Sequence, residues 1–73
     1  MMDEYAKLAN AIVLQGVKDW RKAVRNLKKR PGHTESLRMK NECERFFLSD
    51  WFMELTSVDG EVVLEKLKQE EEL

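Results

Sequence analysis

Seventy-three residues with a net charge of −1, one cysteine, one histidine and three separated glycines bound the chain to a single small domain. They exclude an intrachain disulfide, a four-ligand Cys/His zinc site and a glycine-rich phosphate loop. No apolar run approaches the ~20 residues of a membrane span, and acids stand near the start where a secretory leader carries basic residues, so the expectation is a cytoplasmic protein using no membrane, metal or cofactor.

A first helix is expected over residues 4–29, stopped by Pro31-Gly32, because proline disfavours helix in the residue before it. At 100° per residue, Tyr5, Leu8, Ala9, Ile12, Val13, Gly16, Val17, Trp20, Ala23, Val24 and Leu27 share about half the circumference. One neighbour cannot cover so wide a stripe, so this helix is the spine. Gly16 in mid-stripe gives up to ~1 kcal/mol less helix propensity than alanine, which points to close approach by a neighbouring element. The opposite face carries Lys7, Lys18, Arg21, Lys22, Arg25, Lys28 and Lys29, with Leu14 among them.

After a turn at residues 30–33, Thr34 is the expected N-cap of a second helix over 35–48, with Met39, Cys43, Phe46 and Phe47 inward. Ser49 is the expected cap of a short helix over 50–55, with Asp50 in its first turn and Trp51, Phe52 and Leu55 inward. Asp59 is a candidate cap for a last helix over 60–69, with Val63, Leu64 and Leu67 inward; the acidic tail 70–73 is expected to fray. No strand alternation appears.

Charge is segregated along the chain. Lys18–Lys40 holds nine Lys/Arg against two acids, and Asn41–Leu73 holds three against ten. Such segregation suits either an anion-binding face or mutual screening of the two parts within one fold. Lys18, Lys22, Arg25 and Lys29 fall on one ridge that could meet phosphates, although Trp20 points away from it and leaves no aromatic for base stacking. In the stretch RFFLSDWF the simplest reading is core aromatics beside a helix cap. The functional alternative is that Arg45 clamps an anionic or planar ligand next to the aromatics. Catalysis is not indicated: Cys43 lies on an apolar stripe and His33, the sole histidine, lies in a turn.

Two stretches, AIVLQGVKDWRKA at 11–23 and ECERFFLSDWFMELTSVDGE at 42–61, resemble short phage and prophage proteins of Firmicutes with VLQ-VKD-(W/Y)-R and ERFF-SDW patterns. The resemblance covers about half the chain and carries no catalytic residues. It implies a small accessory phage protein that binds a host factor, for example a defence protein.

The expectation is therefore an all-α single domain over 1–73, a small bundle of three main helices plus one short helix. Self-association is expected, because a core of this size rarely supplies more than about 3–5 kcal/mol. The function expected is stoichiometric binding of a host protein in the host cytoplasm. The alternatives are sequestration of an anionic small molecule, such as a nucleotide second messenger of host defence, and nucleic-acid binding. The candidate binding residues are Lys18, Arg21, Lys22, Arg25, Lys28, Lys29 and Arg45.

Overall fold

The computed structural model describes the backbone from Glu4 to Glu72 and side chains from Lys7 to Glu71. Four helices follow one another with no strand among the described residues: α1 (Glu4–Lys29), α2 (Thr34–Phe47), α3 (Asp50–Leu55) and α4 (Gly60–Glu72). The all-α class expected from sequence is borne out. The Tyr5 side chain and Leu73 lie outside the described residues.

Each junction is a set of satisfied backbone groups. The Arg30 N–H donates to the Asn26 carbonyl (2.8 Å) and the His33 N–H to the Arg30 carbonyl (3.0 Å), closing the Pro31-Gly32 turn. The cap of α2 is His33, not Thr34: its backbone is extended, and its Nδ1 accepts the Ser36 N–H at 3.2 Å. The Ser36 hydroxyl lies 2.7 Å from the same nitrogen, which satisfies a buried serine. Thr34 is displaced into the first helical position because the imidazole already supplies the acceptor. Ser49 caps α3 as expected: its hydroxyl accepts the Phe52 N–H (3.2 Å) and donates to the Phe46 carbonyl (2.6 Å). One side chain thus ties the end of α2 to the start of α3. Asp59 accepts the Glu61 N–H at 2.9 Å and caps α4.

The core is built from one cluster drawn from all four helices: Trp20 of α1, Cys43 and Phe47 of α2, Phe52 of α3, and Leu64 and Leu67 of α4. Trp20, Phe47 and Phe52 are fully buried, each worth roughly 1.5–3 kcal/mol in apolar transfer. Phe46, Phe47 and Phe52 meet edge to face or tilted at centroid distances of 5.4–5.7 Å, a favoured aromatic geometry. Gly16 does mark a close approach, but of side chains: a Cβ there would stand 3.1 Å from the Phe46 ring.

Several stripe residues expected inside are not. Trp51 is 54% exposed. Helix α3 has six residues, and Trp51 and Phe52 point about 100° apart; the core has room for one of them, and Phe52 takes it. Leu8 is exposed because α1, about 39 Å long, outruns α2, about 21 Å. Met39 is exposed as well, while Cys43 and Phe47 further along its helix hold the contact. The long spine makes the molecule elongated, 45 × 21 × 20 Å, with a radius of gyration of 13.2 Å against about 11 Å for a compact globule of this length.

The acidic end also departs from expectation. Helix α4 runs on through Glu72. Arg21 donates to Glu70 Oε2 (2.8 Å), and Lys28 donates to the Glu71 carbonyl (2.6 Å) and to Glu71 Oε2 (3.0 Å). The segregated charges of the sequence meet here, α4 against α1. No described helix is long and apolar enough to cross a membrane.

Candidate functional site: an apolar groove and a basic cleft

Two surfaces concentrate the chemistry. The first is an open groove of about 340 Å³ between α1, α2 and α3, lined by Ile12, Gln15, Gly16, Asp19, Glu42, Cys43, Phe46 and Trp51. Gly16 creates it: without a side chain at that position, the Phe46 ring can lie against α1. Trp51 stands edge-on to Phe46 at 5.4 Å and 66° and forms an exposed wall. Each long wall carries one acid, Asp19 on α1 and Glu42 on α2. Asp19 accepts a hydrogen bond from Gln15 at 2.8 Å, and Glu42 pairs with Arg38 at 3.3 Å in solvent.

The groove meets the core at Cys43. Burial pushes the thiol above its ordinary range, and the neighbouring Asp19, Glu42 and Glu44 carboxylates add to that. The thiol is thus held protonated and unreactive. His33 lies ten positions away at the other end of α2, about 15 Å along the axis, so the two form no nucleophile–base pair. Beside Cys43, Glu44 takes the Trp20 indole N–H (3.1 Å) and Lys40 (2.8 Å). Burial alone raises its carboxyl, but the hydrogen bonds from Lys40 and Trp20 outweigh it and hold Glu44 below the usual carboxylate range. This bond orients Trp20 in the core.

The second surface is a shallow cleft of about 400 Å³ on α1, lined by Lys18, Arg21, Lys22, Arg25, Asn26 and Lys29. It brings together five of the seven residues singled out from sequence. Lys28 is set apart by its pairing with Glu71. Arg45 is exposed on α2 and does not line the groove beside the aromatics, so the structure places no cation where the expected clamp would sit. What sequence reasoning missed is Trp51 as a surface residue and the carboxylates of the groove. The shortness of α3 was the available signal for the tryptophan.

Among the described residues no group of three or more His, Cys, Asp or Glu side chains could hold a metal ion. Comparison with protein-family models, curated proteins and solved structures finds no match to this chain.

Proposed function

We propose that the protein acts by stoichiometric binding of a partner protein, with the groove of α1, α2 and α3 as the docking surface. The observation that carries this reading is the open apolar floor of Ile12, Gly16 and Phe46, walled by a tryptophan more than half in solvent. An exposed aromatic beside a hydrophobic depression is the usual composition of an interface anchor. The occupant is an apolar helix face of another protein, since the run from Ile12 to Asp19 spans two helical turns, about 10 Å, and matches anchors one turn apart. The carboxylates on the two walls favour a basic margin on that helix. The resemblance to phage proteins supports a host factor, including a defence protein, as the partner.

The test is affinity capture from host lysate with wild type, Trp51→Ala and Trp51→Glu. A partner retained by wild type and lost at least about tenfold with both variants supports the groove; equal capture by all three refutes it. Self-association belongs to the same proposal. Its surface is the uncovered start of the α1 stripe around Leu8, and light scattering of wild type and Leu8→Ser checks it: a wild-type monomer at micromolar concentration removes it.

A further inference from the structure

The groove leaves the basic cleft unused. Lys18, Lys22, Arg25 and Lys29 are all exposed, and they stand at i, i+4, i+7 and i+11 on one helix face. The ridge runs about 16 Å along α1. The acid next to it in sequence, Asp19, is turned about 100° from Lys18, towards the groove that it lines, and is held by Gln15. The other carboxylates at this face come from α4. Glu70 takes Arg21 of the cleft itself, and Glu71 takes Lys28 just beyond it. The Arg21–Glu70 pair is open to solvent at both ends, 39% and 58% exposed, whereas Lys28 meets a Glu71 side chain only 17% exposed. An exposed pair such as Arg21–Glu70 is weak and exchangeable. The acidic end of α4 therefore shows what the cleft accepts, oxyanions, while filling one flank of it with a ligand that is easily displaced.

We infer that the α1 cleft is a binding site for the phosphate backbone of duplex nucleic acid, and that the acidic end of α4 is its built-in competitor. Four cations along a ridge of about 16 Å can meet about four phosphates of a duplex, whose two strands together present one charge per about 1.7 Å of axis. The lining holds no aromatic side chain on which an unstacked base or a free nucleotide could lie, so single strands and mononucleotides gain little there. Contact is with the backbone alone, and binding does not depend on sequence. When phosphates enter, Arg21 turns from Glu70 to the ligand.

The test is fluorescence anisotropy with a labelled 20-base-pair DNA duplex, the matching single strand, ATP and a poly-glutamate peptide, each over a salt series. The duplex is expected to bind tightest, with log K falling against log salt at a slope of about −3 to −4, as for about four phosphates neutralised. Glu70→Gln/Glu71→Gln is expected to bind the duplex about three- to tenfold more tightly, because the internal competitor is gone. Lys18→Gln/Lys22→Gln/Arg25→Gln/Lys29→Gln is expected to lose at least about tenfold and most of the salt dependence. These four side chains fill no part of the core, and circular dichroism confirms the fold of the variant. A wild-type slope shallower than about −1, equal affinity for poly-glutamate or ATP, or unchanged duplex binding by the Gln/Gln variant overturns the proposal. The salt slope needs no variant, so a misfolded mutant cannot shield the idea.

Discussion

At the scale of single residues, two glycines, Gly16 in mid-helix and Gly60 at the start of α4, have different jobs. A Cβ on Gly60 would lie 1.7 Å from the Phe47 carbonyl oxygen, whereas one on Gly16 would lie 3.1 Å from the edge of the Phe46 ring. Backbone cannot step aside as a ring can. Gly60→Ala should therefore destabilise by more than about 2 kcal/mol, the range of a forced backbone shift. In Gly16→Ala a helix-propensity gain of up to ~1 kcal/mol opposes the displacement of Phe46, and the net change should stay small. Chemical denaturation of both variants tests the contrast; equal costs would mean that α4 does not start against Phe47. Glu44 gives a pH test. Its carboxyl is lowered in the fold from 4.5, so its stabilisation is complete above the unfolded value and is lost as pH falls through the lower folded one. Melting followed from about pH 6 to about pH 3 should show an acid limb that is flatter in Glu44→Gln.

At the scale of elements, the ends of the helices were legible where a local signal existed. Pro31-Gly32, Ser49 and Asp59 each act through bonds to residues two to four positions away, and the sequence shows such neighbours directly. His33 was passed over because an imidazole caps only through an unprotonated Nδ1, which a residue name does not reveal. Trp51 was misplaced because periodicity cannot rank two adjacent aromatics on a helix of six residues. The length of α4 was missed because its last turn is held by α1, across 49 positions from Arg21 to Glu70. Of the candidate site, the basic ridge was readable as a helical period, while the groove needed three elements to converge. Helix α4 should behave accordingly: Glu70→Gln/Glu71→Gln should cost at most about 1 kcal/mol per pair at low salt and nothing measurable near 1 M. A cost that persists at high salt would point to packing rather than charge.

At the scale of the whole molecule, the fold is a long spine with a small core. That core supplies only about 3–5 kcal/mol net, and truncating a fully buried phenylalanine removes about as much. Phe52→Ala should therefore be largely unfolded at room temperature by circular dichroism. Trp51→Ala, on the same helix but more than half in solvent, should keep its fold and lose less than about 1 kcal/mol. If the two variants melt alike, Phe52 is not the residue that anchors α3 in the core. The pair also separates stability from binding, since only Trp51 is proposed to touch a partner.

Helix α4 brings Leu64 and Leu67 into the one cluster that also holds Trp20, Phe47 and Phe52, and it follows the other three described helices. Translation delivers the spine first and the leucines that complete its core last. A nascent chain halted before α4 lacks the two leucines that complete the cluster of Trp20, Phe47 and Phe52, a state that invites chaperones and proteases. Ribosome-bound chains arrested before Gly60 should be cleaved readily by a protease, and chains in which α4 has cleared the ribosome should resist it. Emergence of α4, rather than early folding of α1, is then what completes the core of the newborn protein.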